Sequence, residues 1–297
     1  MASPPPGMSR RALLLGGAGV AGAYVLAACS SDSPPAPDAG ATTTTAAPFV
    51  LGESFDRNSL LVPSIPQRMP FLLFQSSGGL VEKADAPDEL TFSFSLQGGG
   101  ATMPDVTVAR GGDAVDRVYY PAIATFPSVG VWDVRTELAG LELTSSVAVN
   151  EQTTVPQVGD PMPSAPTPTT ADPLGVTTLC TRTPQCPFHE VSLADVLAAG
   201  RPVAVLLSTP AYCQVAICGP VLDLLVDTPP AIDTIHIEVF PNGAPADDAA
   251  NVSPLVSDTF SLTYEPALFV AGADGRIAAR LDNIYDTPEL AAALALV

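Results

Sequence analysis

Val203-Ala-Val-Leu-Leu207 runs into Ser208-Thr-Pro-Ala-Tyr212, then Cys213-Gln-Val-Ala-Ile-Cys218, then Gly219-Pro-Val-Leu-Asp-Leu-Leu-Val226. Five consecutive apolar residues bounded by turn formers read as a fully buried strand. The amphipathic stretch over about 219–227 reads as a helix stopped by Pro229-Pro230. The two cysteines therefore fall where a strand hands over to a helix. A helix N-terminus carries unpaired N–H groups and partial positive charge, which favour thiolate over thiol. A second cysteine five residues on can close a disulfide across the turn.

Working outward, Ser192-Leu-Ala-Asp195 reads as a capping-box variant opening a helix that Gly200 closes. Ile235-His-Ile-Glu-Val-Phe240 is the next strand, followed by a weak helix over about 248–258 with Val252, Leu255 and Val256 on one face. Ala267-Leu-Phe-Val-Ala271 is a strand, and Asp274-Gly275 turns it into Arg276-Ile-Ala-Ala-Arg280. Thr287-Pro288-Glu289 starts a last helix, with a cap at Thr287 and proline at the first helical position. The predicted order is α-β-α-β-α-β-β-α.

That order, with the cysteines after the second element and Pro266 before the hairpin, resembles thioredoxin-like proteins, above all exported, membrane-tethered thiol–disulfide oxidoreductases. The resemblance rests on Val203 to Pro220, Glu265-Pro-Ala-Leu-Phe-Val270 and Gly272-Ala-Asp-Gly-Arg-Ile277. It implies Cys213 as attacking thiol, Cys218 as resolving thiol and Pro266 as a cis-proline facing the disulfide. The chain also departs from the family. Four residues separate the cysteines instead of two, Tyr212 replaces the usual tryptophan, and Leu207 stands where the family often carries a buried acid. Cys218-Gly-Pro allows a second register with Cys218 as nucleophile. Glu265, next to Pro266, would raise the pKa of nearby thiols. The chemistry implied is thiol–disulfide exchange through a mixed disulfide.

Cys180-Thr-Arg-Thr-Pro-Gln-Cys186-Pro-Phe-His189 is a second cluster. Of the five cysteines, Cys29 falls in the N-terminal segment considered below; the other four suggest two disulfides in an exported chain, and close spacing favours 180–186 and 213–218 among the three possible pairings. His189 is then a packing or surface residue and the chain needs no cofactor and no metal. The alternative is a metal site of Cys180, Cys186 and His189, joined by Cys213 or Cys218. Sco-type copper chaperones share the thioredoxin fold and pair C-x3-C with a distant histidine. Here the spacing is C-x4-C, and His236, mid-strand, is the distant candidate, more simply read as a packed histidine.

The residues before this region read differently. Leu90, Phe92, Phe94 and Leu96 alternate with Thr91, Ser93, Ser95 and Gln97, the period of a strand with one wet face. Leu141, Leu143, Val147 and Val149 repeat the pattern, and Val131-Trp132-Asp-Val134 follows Pro127 and Gly130. Short strands between turn signals predict an all-β sandwich over 55–154. Phe126 to Val134 resembles a late strand of bacterial immunoglobulin-like domains. Trp132 is expected in its core. Pro156, Pro161, Pro163, Pro166, Pro168 and Pro173 make 155–176 a Pro/Thr-rich linker.

At the N-terminus, Arg10-Arg11 precedes an uncharged apolar run ending at Leu26-Ala-Ala-Cys29. This predicts a signal peptide over 1–28, similar to a twin-arginine signal, and a lipobox whose Cys29 is lipidated. Residues 29–54 then form a lipid-anchored flexible stalk. Cleavage removes two arginines and no acid, taking the formal charge from -19 to -21. So acidic a surface excludes nucleic acid as a partner and leaves lipid on Cys29 as the only membrane link. The expected fold is an all-β immunoglobulin-like sandwich followed by an α/β thioredoxin-like domain over 177–297. The expected protein is exported, anchored outside a bacterial membrane, and acts on the thiols and disulfides of exported proteins. The alternatives are a binding or scaffolding module with structural disulfides, or a Sco-like copper metallochaperone.

Overall fold

The computed structural model describes residues 48–213, 216–243 and 251–297. The signal peptide, Cys29 and the stalk as far as residue 47 lie outside the described residues, as do 248–250 of the helix expected over 248–258. Seven strands build the N-terminal half: β1 (Phe49–Glu53), β2 (Pro66–Gln75), β3 (Glu89–Leu96), β4 (Val106–Ala109), β5 (Tyr120–Thr125), β6 (Gly130–Leu138) and β7 (Leu141–Val149). They form two antiparallel sheets, ordered β1-β2-β5 and β4-β3-β6-β7. Alternation along β3, β5 and β6 buries one side of each, β2 is buried without a break from Gln67 to Leu73, and aromatic rings meet between the sheets. Phe71 of β2 stacks on Phe92 of β3 at 4.8 Å between centroids, and Phe126 packs edge-on to Phe94 and against Trp132. Trp132 is fully buried, its indole N–H donating to the Ser128 carbonyl at 3.2 Å.

Two features differ from the sequence expectation. β1 lies within the stretch expected to be stalk, because Leu51 is buried and the whole segment pairs with β2 from Phe49–Gln75 to Glu53–Phe71. β2 was not legible, since Pro66 and Pro70 discourage a strand. The structure accommodates Pro70 opposite Pro121 of β5, leaving the Pro70 carbonyl to accept from Ser54 N–H.

The C-terminal half follows the order α1 (Leu193–Ala198), β8 (Val203–Ser208), α2 (Cys218–Asp227), β9 (Asp233–Glu238), a single π-helical turn (Leu255–Thr259), β10 (Ala267–Ala271), β11 (Ile277–Asp282) and α3 (Thr287–Leu294). Its sheet is ordered β11-β10-β8-β9. β8 and β9 are parallel, as the α2 crossover between them requires, and the other pairs are antiparallel. All six residues of β8 are buried. Val203, Val205 and Leu207 join an apolar cluster that runs on into the sandwich interior, while Ala204 and Leu206 face Val221, Leu222 and Leu225 of α2.

Capping departs from the sequence reading at both ends of this half. Ser192 sits at the N-cap of α1 without capping it; its hydroxyl accepts from Thr167 N–H, and the Thr167 hydroxyl accepts from Leu193 N–H instead. The cap of α3 is Asp286, not Thr287, with Oδ1 accepting from Thr287 N–H at 2.7 Å.

Residues 155–176 contain neither helix nor strand, and they are strapped along the C-terminal half. Gly159 and Met162 donate to the carbonyls of Ile277 and Gly275, Ile277 donates back to Asp160, and Val155, Met162, Thr167 and Thr169 are buried. Proline removes donors from such a segment but leaves its carbonyls and remaining N–H groups free to pair. The described residues from 48 onward accordingly belong to one compact unit.

Arg68 of β2 ties the halves together. Only 8% exposed, its guanidinium donates to both Glu289 carboxylate oxygens at 2.6 and 2.8 Å and to the Asp282 and Ile284 carbonyls. Tyr119 donates to the same carboxylate. Asp286 reaches the other way, accepting from Gly112, Asp113 and Ala114 N–H. Gly112 has φ +110, and a Cβ there would collide with the Arg117 carbonyl, so only glycine permits this approach. Deleting one partner of a buried pair strands the other. Arg68→Ala is therefore expected to lose about 3 kcal/mol of stability, read as a lower urea midpoint with the N- and C-terminal halves still unfolding together.

Candidate functional site

The register of β8 assembles the site. Leu207 lies opposite Ala267 of β10, and Ser208 opposite Glu238 of β9. Cys213 and Cys218 leave this end of β8, and Glu265 and Pro266 precede β10 at the same end. Cys213 sits half-buried in the turn, while Cys218 is the first residue of α2 and fully buried. They form a disulfide with Cα atoms 5.9 Å apart. The Cys218 backbone N–H, one of the free donors of the helix start, points at the Cys213 sulfur at 3.3 Å. The helix terminus thus acts on Cys213, the accessible sulfur. Gln214 and Val215 lie outside the described residues; Ala216 holds φ +54, a left-handed conformation that a Cβ disfavours. The Glu265–Pro266 peptide is cis.

Glu265 occupies a position that the sequence reading judged only as a hindrance. Its carboxylate and both sulfurs lie within 4.8 Å of one another. Burial pushes its pKa up to about 8, the charge of Glu238 adds to this, and the Thr209 backbone N–H pulls the other way. One carboxyl oxygen is buried with no hydrogen-bond partner. The group is thus a neutral acid at pH 7, which spares a nearby thiolate the like-charge repulsion expected from the sequence and provides a proton-transfer group where Leu207 cannot.

A groove runs from this point. Tyr212, Phe240, Val256, Leu262, Tyr264 and Glu265 line one stretch. A second shares Tyr264, Thr263 and Asn283, passes Ala216, and is walled by Phe55, Phe74 and Leu80 of the N-terminal half. Both halves therefore border the disulfide turn.

Cys180 and Cys186 require a correction. They were expected to form a disulfide; both are free thiols and buried. The reason is that each has other company. The Cys186 sulfur lies 3.2 Å from His189 Nε2 and 3.6 Å from His236 Nδ1, and one donor atom from each of Cys180, Cys186, His189 and His236 lies within 4.8 Å of the others. The Cys180 thiol is drawn well below its usual pKa by the Cys186 S–H, with both imidazoles acting the same way against burial; the same hydrogen bond, together with burial, holds Cys186 up. His236 was read as a packed residue, and it is buried, but its partners on the α2 face are the cluster and Ser208. In the sequence, an even number of remaining cysteines and the close spacing of Cys180 and Cys186 favour a disulfide here over a metal. The missing signal was that His236 pairs in register with Leu206 of β8, which only the sheet order reveals.

Comparison with known proteins adds no name: no protein-family model matches the chain, and no curated protein is significantly similar to it.

The sign of the Glu265 effect is set by linkage. Below about pH 4.5 both folded and unfolded chains hold the proton; between that and about 8 the unfolded chain releases a proton that the folded chain keeps. Stability from this group therefore falls as pH rises from about 5 to about 8. Glu265→Gln removes that penalty, so urea midpoints at pH 5 and pH 8 should lie closer together in the variant than in the native chain.

Proposed function

We propose that this chain is an exported, lipid-anchored protein with a thioredoxin-like C-terminal half and an immunoglobulin-like N-terminal half, exchanging disulfides with exported proteins through Cys213 and Cys218. The observation that carries the reading is the asymmetry of the pair: a half-buried Cys213 that accepts the first N–H of α2, over a buried Cys218. Further support comes from the order of β8, α2, β9, β10, β11 and α3, with Pro266 directly before β10. Seven strands in two facing sheets fit the N-terminal assignment.

In the reducing direction, the Cys213 thiolate attacks one sulfur of a substrate disulfide. The S–S bond of the substrate breaks, a Cys213–substrate bond forms, and the first substrate thiolate leaves. Glu265, in its ionised form as the pH nears about 8, takes the proton of Cys218. The Cys218 thiolate then attacks Cys213, closing the internal disulfide and releasing the second substrate thiolate. Two electrons pass from the Cys213–Cys218 dithiol to the substrate disulfide; the reverse sequence oxidises a substrate dithiol. The groove past Tyr212 and Ala216 accommodates an extended chain, and its far wall gives the N-terminal half a role in holding substrate.

With insulin as substrate and dithiothreitol as reductant, the native chain is expected to turn over disulfides and Cys213→Ser to fall to background. A native chain without turnover, or a Cys213→Ser chain that retains it, removes the exchange reading and leaves a static disulfide. Glu265→Gln keeps the shape without the titrating oxygen and should slow exchange on the order of 100-fold, with the rate losing its dependence on pH near 8.

A further inference from the structure

We propose that Cys180, Cys186, His189 and His236 together bind one zinc ion, which fastens the 180–189 segment to β9 independently of the disulfide turn. The four residues are only 7%, 3%, 2% and 2% exposed. Two sulfurs and two imidazole nitrogens within 4.8 Å of one another are the donor set and the spacing of a tetrahedral structural zinc site. Chemistry excludes the hard cations, since calcium and magnesium require oxygen ligands and this cluster offers none. Two thiolates and two neutral imidazoles also cancel the charge of a divalent ion, so the loaded site would be neutral and compatible with burial. All four positions come from protein, which marks a closed, structural site rather than a catalytic one.

The surroundings are built as a metal site needs. His236 Nε2 faces Ser208, 3.0 Å from its hydroxyl and 3.1 Å from its carbonyl. A carbonyl can only accept, so this nitrogen carries the proton and Nδ1 presents its lone pair to Cys186. Nε2 of His189 faces the same sulfur. The ligands come from separate parts of the chain: Cys180, Cys186 and His189 from the segment before α1, and His236 from the middle of β9. Closing them around one ion would clamp that segment to the sheet. Thr181, next to Cys180, donates to Glu238 through its N–H and hydroxyl and accepts from Ala211 N–H. The clamp therefore also holds the backbone two residues ahead of Cys213.

The test is metal analysis of the full-length chain, purified with a mild reductant and supplied with zinc, alongside a cobalt-exchanged sample. About one zinc per chain is expected, with a sulfur-to-cobalt charge-transfer band and the visible bands of tetrahedral cobalt, both erased by adding zinc. Cys213→Ser and Cys218→Ser should keep the full metal content. Cys186→Ser and His189→Ala should lose it, and Ser208→Ala, which removes only the hydroxyl behind His236, should weaken zinc binding about 10-fold. If Cys186→Ser does not fold, the native cobalt spectrum decides alone. The proposal is overturned by a chain that stays essentially free of zinc, by cobalt bands lacking sulfur character, by loss of metal in Cys213→Ser, or by mass mapping that finds Cys180 bridged to Cys186 in the zinc-supplied chain.

Discussion

The pairing of β8 with its two neighbours is the constraint on which the disulfide-bearing end of this protein depends. β8 is buried along its whole length, so its alternation assigns every residue to one of two apolar layers, and a one-residue slip would exchange them. In the observed register, Leu207 meets Ala267 and Leu206 meets His236. The first pairing brings Glu265 and Pro266 to the turn that carries the disulfide. The second brings His236 under Cys186. Two clusters of sulfur chemistry, far apart in the chain, thus share one strand end, and Thr181 and Glu238 hydrogen-bond between them.

A second, electrostatic constraint joins the halves. Arg68 reaches across with a bidentate pair to Glu289 and two carbonyl acceptors, and Asp286 reaches back to three successive N–H groups. A buried guanidinium is tolerable only when its donors are met so completely, which makes the contact geometrically demanding. With the halves held in one orientation, Phe55, Phe74 and Leu80 form a fixed wall beside the disulfide turn. The proline-rich stretch contributes in the same direction, lying along β11 and supplying the Thr167 hydroxyl that caps α1.

Much of the C-terminal half was legible because its strands are short apolar runs with clear punctuation. The strands over 203–207 and 267–271, the turn at Asp274-Gly275 and the helix after Cys218 all stand where hydrophobic period and turn chemistry put them. Strands with one wet face, such as Leu90–Leu96, were equally plain. β1 and β2 were not, since a glycine- and proline-bearing strand gains its order from its partners rather than from its own preferences. Caps were misread for a related reason: Thr167 and Asp286 take over tasks that local spacing assigns to Ser192 and Thr287. Of the site, the pair Cys213 and Cys218 announced itself. Glu265 was noticed for its charge, but its protonation follows from burial, which sequence does not display.

The amino-acid sequence alone determined the strand-to-helix junction, the two nearby cysteines within it, the alternating strands of the first half and the acidity of the whole. Each of these is local or compositional, set by side-chain period, turn residues and charge count. Only the tertiary structure decided that Cys180 and Cys186 face two histidines instead of each other, that Glu265 is buried and so holds its proton beside the disulfide, and that the proline-rich segment is bound along the C-terminal half. These are meetings of residues tens of positions apart, and they come from the order and register of strands in the sheet, which no local pattern encodes.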